Sequence, residues 1–144
     1  MSRIINIDGP GKQRHQHRRT IAEALRRLLE KRTLDEESKD LAALIVFALR
    51  GISRSVDEAA IAWEKRNYFV KADRFRHEWN WVDRAADEME ALIRTARWKR
   101  LPAVLAAIMP YFADITVRKL VRDPSLWAGC HQRLLDTSPK RTRM

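Results

Sequence analysis

Cysteine is almost absent. With Cys130 as the chain's one thiol, no intramolecular disulfide can form, which suits a reducing compartment. Glycine and proline are scarce too, four and five in 144 residues. That scarcity disfavours many short strands joined by tight turns and favours long helices. Long apolar runs are missing as well. The longest, Leu41 to Leu49, has nine residues, about half of the roughly 20 that a bilayer span needs. At the N-terminus only Ile4, Ile5 and Ile7 precede Asp8, too little for the apolar core of a secretory leader. The expectation is a cytoplasmic protein without a membrane span.

What remains is a chain of ordinary domain size, with 45% hydrophobic and 33% charged residues, enough apolar material for a core and too much for disorder. Its formal net charge of +10 is unevenly placed. Residues 1–32 carry nine Lys/Arg against three Asp/Glu, residues 33–96 ten against thirteen, and residues 97–144 ten against three. Basic ends therefore flank a mildly acidic middle, an asymmetry compatible with polyanion binding or with solubility alone.

Hydrophobic periodicity predicts an all-α, single-domain antiparallel bundle of five or six helices. Residues 1–17, with Gly9-Pro10-Gly11, read as a flexible basic arm. The bundle occupies 18–135, and 136–144 read as a disordered basic tail; both ends are expected to be dispensable for the core. Ile21, Leu25, Leu28 and Leu29 form one face of a first helix over Arg18–Arg32. Thr33 and Glu36 have capping-box spacing and open a second helix, apolar all round, that Gly51 is placed to end. Ser55 and Glu58 repeat that spacing ahead of a long helix 3 region. There Ala72, Phe75, Trp79, Val82, Ala86, Met89 and Ile93 recur at steps of three and four, a seam about 33 Å long. Whether residues 56–96 are one helix with an irregularity near Asn67, or two, stays open. Pro102 starts a further helix that Pro110 stops. Residues 113–121 fit strand or helix, and Asp123-Pro124 opens a last helix through Leu135.

Candidate chemistry thins out under inspection. Asp8-Gly-Pro-Gly-Lys12 resembles a phosphate loop, but one residue separates its glycines and Gln13 follows the lysine. Gly51 and Val56 suggest a helix-turn-helix, yet Asp57 falls at the buried position of the second helix, and Asp57 and Glu58 would repel phosphates. Residues 71–84 interleave cations with aromatics. However, Phe75 and Trp79 belong to the seam, and Asp73–His77 and Arg74–Glu78 are spaced to offset each other. His15 and His17 make at best a loose metal pair, and no paired Glu-x-x-His elements occur. Cys130 and His131 point about 100° apart on a helix, which rules out a nucleophile–base pair. Asp83, Asp87, Glu88 and Glu90 read as a polar face.

The sequence thus predicts no catalytic residue, cofactor or metal. It favours a non-enzymatic interaction, scaffold or regulatory protein with a protein partner, or a homodimer using a face other than the seam. Trp81, off the seam, is either a contact within the bundle, the preferred reading, or an anchor for the partner. The alternative is a nucleic-acid-associated protein whose polyanion-binding residues are Lys12, Arg14, Arg18, Arg19, Arg26 and Arg27.

Overall fold

A computed structural model describes residues 9–138. Six α-helices follow in order: α1 (Pro10–Leu29), α2 (Glu36–Glu64), α3 (Phe69–Glu78), α4 (Trp81–Arg94), α5 (Leu101–Ile108) and α6 (Cys130–Asp136). Short 3-10 turns occupy Trp98–Arg100, Met109–Phe112 and Pro124–Leu126, and no strand occurs among the described residues. The all-α expectation therefore holds. None of the described helices is long and apolar enough to cross a membrane.

Helix α2 is the axis of the core, as its all-round apolar stretch requires. Leu41, Ala42, Ala43, Ile45, Val46, Leu49 and Ile52 are fully buried. Its N-cap is Asp35 and not Thr33. The Asp35 carboxylate accepts from the Ser38 amide at 2.9 Å, and Ser38 Oγ accepts from the Asp35 amide at 3.4 Å. The helix also runs straight through Gly51, the expected stop. At that glycine α1 lies close against α2: a Cβ there would run into the His17 ring. Absence of a side chain therefore permits a helix crossing instead of ending a helix. Ser55, the expected next cap, is buried inside α2 and donates to the Ile52 carbonyl at 2.7 Å. With no turn at Gly51, a helix-turn-helix at this place is ruled out.

Helix α1 starts at Pro10, so residues 10–17, expected in the arm, are its first two turns. Proline at the first helical position needs no partner for its missing N–H, and Gly9 serves as N-cap. Tertiary contacts hold these turns. His17 lies on Gly51, and the Arg14 guanidinium sits 4.9 Å from the Phe75 ring centroid and 5.5 Å from that of Trp79. Arg14 reaching Ser55, and Lys31 reaching Asp35 at 2.7 Å, show that α1 and α2 run in opposite directions. Residues 1–8 of the expected arm and 139–144 of the expected tail lie outside the described residues; Asp136, assigned to the tail, ends α6.

The seam is periodic but not one helix. The chain turns at Lys65–Tyr68, with Asn67 at φ 66° and the Tyr68 amide donating to the Trp63 carbonyl. It turns again at Trp79–Asn80, between α3 and α4. Ala72, Val82, Ala86, Met89 and Ile93 are buried on both sides of that second turn, while Phe75 and Trp79 are half-buried. In a continuous helix Trp79 and Trp81 would point about 200° apart. The turn brings their rings to 6.2 Å, stacked. The pairs Asp73–His77 and Arg74–Glu78 are not formed. Instead Arg76 bridges back from α3 to Glu64 at 2.6 Å and Asp57 at 3.6 Å.

Pro102 does open α5, and Pro110 lies just past its end. The ambiguous stretch after Ala113 is neither strand nor helix through Arg122. Asp123 caps only the 3-10 turn Pro124–Leu126, because Gly129, at φ 81°, restarts the chain as α6. Trp127 plugs that junction, with Nε1 donating to Glu37 at 3.2 Å and Arg27 over its ring.

Candidate docking groove

Helix α5 is apolar on every side. Leu101, Val104, Leu105 and Ile108 point into the bundle, whereas Pro102, Ala103, Ala106 and Ala107 face solvent. From Leu101 to Ala113 the sequence has thirteen residues without one Asp, Glu, Lys or Arg. Next to this face lies the C-terminal half of α1, where Leu29 is 62% exposed, and the following loop, where Leu34 is 45% exposed. Between them lie two adjoining hollows of about 730 Å³ and 370 Å³, together a groove. Leu29, Ala106 and Met109 line both parts. Lone exposed leucines are ordinary; an apolar furrow of this size is not.

The far wall is held by charged side chains of α1. Arg18 donates to the Tyr111 carbonyl at 2.8 Å and pairs with Asp114 at 2.6 Å. Arg26 donates to the Val117 carbonyl and contacts Glu30 at 3.4 Å. Buried Glu23 accepts from the amides of Arg122 at 2.9 Å and Val121 at 3.2 Å, and from the Arg122 side chain at 3.1 Å. Burial alone would push the Glu23 carboxyl up. Hydrogen bonds from Arg122, Val121 and Arg27 outweigh it and hold the group below its ordinary value. Residues 111–122 are thereby laid along α1 as a strap, with Ile115 and Val117 turned to the groove.

Of the exposed cations near α5, Arg32 lines the groove, whereas Arg97 and Arg100 line a separate pocket with Glu88 and Val104. Among the described residues none of these three forms an ion pair. The carboxylates bordering the groove, Glu30 and Asp114, are engaged by Arg26 and Arg18.

The residues singled out from sequence do not form one patch. Arg14, Arg18, Arg26 and Arg27 spend their guanidinium groups on Ser55 and two aromatic rings, on Asp114, on Val117, and on Glu23 with the Arg122 carbonyl, respectively. Lys12 and Arg19 are exposed, without an ion pair among the described residues. Trp81 is half-buried and stacks on Tyr111 with ring centroids 3.8 Å apart, edge-on to Phe112. It joins α4 to the turn after α5. His15 is exposed while His17 lies against Gly51, so the two do not converge. Cys130 is buried, and burial raises its thiol pKa, the environment of a packing residue. From α2, Arg50 gathers Asp87 and Glu90 of α4, each at 2.9 Å. Burial opposes the Glu90 charge, but Arg50 and Arg94 together lower its pKa and keep it ionised.

The groove was missed in sequence because Ala103–Met109 reads simply as a core helix. The available signal was the uncharged thirteen-residue stretch bounded by Arg97-Trp-Lys-Arg100 and Arg118-Lys119. A second apolar feature lies at the α2–α3 turn, where Tyr68, Phe69 and Val70 are exposed beside a pocket of about 790 Å³. Its surroundings mix Lys71 and Arg74 with Glu78. Comparison of the chain with protein-family models, with curated proteins and with solved structures finds no match.

Proposed function

We propose that this chain is a non-enzymatic interaction protein that docks a macromolecular partner along the α1–α5 groove. One observation carries the reading: two adjoining apolar hollows are open to solvent beside a helix with no charged residue of its own. Four of the six cations that a nucleic-acid role would use are engaged within the chain, which favours a protein partner over a polyanion at α1.

Ala106→Arg puts a long charged side chain into the floor shared by both parts of the groove. Ala106 is exposed, so the fold has no need of it. In pull-downs from native lysate, with and without nuclease, the wild-type chain is expected to retain a protein that nuclease does not release and that Ala106→Arg does not hold. Retention of the same protein by the variant, or its loss on nuclease treatment, would overturn the reading.

A further inference from the structure

We infer that the α2–α3 turn is a contact point for an anionic phospholipid surface. Tyr68, Phe69 and Val70 enter the interface, and Lys65, Arg66, Lys71 and Arg74 meet head-group phosphates. The inference is independent of the docking role proposed for the α1–α5 groove, with which the turn shares no lining residue. Local sequence builds the turn. Asn67 takes a left-handed backbone, φ 66°, and the Tyr68 amide donates to the Trp63 carbonyl at 2.9 Å, which closes α2. Beyond it, α3 turns Ala72 into the core. Val70, two positions earlier, lies about 200° round the helix from Ala72. Every residue from Lys65 to Lys71 is exposed, so the turn stands out from the bundle.

Exposure is largest where this turn is most apolar: Tyr68, Phe69 and Val70 are 54, 59 and 70% exposed. Behind them a hollow of about 790 Å³ is walled by Trp63 and Phe75, which extends the apolar surface past the tip. Three consecutive large apolar side chains left in water call for a partner. Charge says which. Lys65 and Arg66 precede the three, Lys71 follows, and no carboxylate occurs between Glu64 and Asp73. Among the described residues Lys65, Arg66, Lys71 and Arg74 form no ion pair; Lys71 lies 4.5 Å from the Trp63 ring centroid. Of the nearby carboxylates, Glu64 is held by Arg76 and Glu78 is drawn to Arg14, which leaves Asp73 against four cations. Apolar side chains at the apex with cations at its base suit an anionic interface, where rings sit at head-group level and Lys and Arg meet phosphates. Nucleic acid fits less well, since Val70, the most exposed of the three, has no ring to stack. A second copy docked about a twofold axis would bring the four cations against their own kind.

The test is co-sedimentation of the full chain with phosphatidylserine–phosphatidylcholine vesicles, and with phosphatidylcholine alone, at about 150 mM salt. The chain is expected to bind the anionic vesicles at least about tenfold more tightly than the neutral ones. Phe69→Ser with Val70→Ser leaves net charge unchanged and is expected to weaken that binding at least about tenfold. Lys65→Glu with Arg66→Glu is expected to weaken it by a similar factor. Arg97→Glu with Arg100→Glu makes the same change in net charge at the other end of α2, where Lys39 lies over Trp98, and is expected to weaken it less than about threefold. All these side chains are exposed, so circular dichroism spectra should match wild type. If the serine pair fails to fold, the glutamate pair and its charge-matched control still test the inference.

Absence of binding to anionic vesicles would overturn it. Binding that survives the serine pair, or that falls equally in the Arg97 and Arg100 variant, would reduce the effect to net charge and overturn it too. A single-stranded oligonucleotide retained at the same salt and released by the serine pair would overturn it in favour of nucleic acid. Light scattering that finds a dimer abolished by the serine pair would do so in favour of a second copy. Ala106→Arg is expected to leave vesicle binding intact, so the groove reading and this inference stand or fall separately.

Discussion

Gly51 shows how one residue can carry opposite meanings in sequence and in structure. In a helix interior glycine costs about 1 kcal/mol relative to alanine. Here the close approach of the His17 ring offsets that cost. Gly51→Ala should therefore destabilise the protein by about 1–3 kcal/mol, through overpacking against the ring. In a His17→Ala background the obstacle is gone, and the same change should stabilise by up to about 1 kcal/mol. Thermal melts of the four proteins in this cycle check the reversal of sign; an equal loss in both backgrounds would mean that the ring is not the cause. At this scale the basic residues of α1 were identifiable by type but not by role. Arg18 and Arg26 grip backbone carbonyls more than ninety positions away in the chain, a distance no local pattern encodes.

The element that depends most on tertiary contacts is the strap of residues 111–122. It has no repeating backbone hydrogen bonds, and its placement rests on Arg18, Glu23 and Arg26. Since the folded pKa of Glu23 is lowered, its contribution is complete above the ordinary glutamate range. It is lost as pH falls through that range toward the folded value. Hydrogen exchange should accordingly show the Val121 and Arg122 amides protected at neutral pH, with protection falling below about pH 4 ahead of the α2 amides. Glu23→Gln should weaken protection at the same two amides already at neutral pH, at a cost of about 1–3 kcal/mol. Helix α1 gives a further prediction. Deleting residues 1–17 was expected from sequence to leave the core untouched; the structure places Arg14 and His17 within the α1–α2–α3 packing. The deletion should lower the melting temperature clearly, and an unchanged melt would return these turns to the status of an arm.

Across the whole molecule, charge and apolar exposure divide the labour. Most of the α1 cations are turned inward, whereas those flanking α5 stand free of ion pairs among the described residues. Association with DNA or RNA should then be that of any basic protein: detectable at low salt, indifferent to sequence, and gone near 150 mM. Six genuine phosphate contacts would instead lose on the order of a thousandfold between 50 and 200 mM. Filter binding across that range measures the slope, and tight retention at 150 mM would move the reading to a nucleic-acid role.

By itself the sequence determined the helical class, the burial of most of Leu41–Leu49 and of Ala72, Val82, Ala86, Met89 and Ile93 in the seam, and the place of Pro102 in the first turn of α5. These follow from local periodicity and proline geometry, which act within a few turns of chain. Where α2 ends, where the seam breaks and where α1 begins were decided by contacts between elements. His17 on Gly51, Trp81 on Trp79 and Tyr111, and Arg14 over Phe75 set those boundaries. The groove belongs to the same category. An uncharged helix reads as core until the fold leaves one of its faces without a neighbour, and only packing decides which face that is.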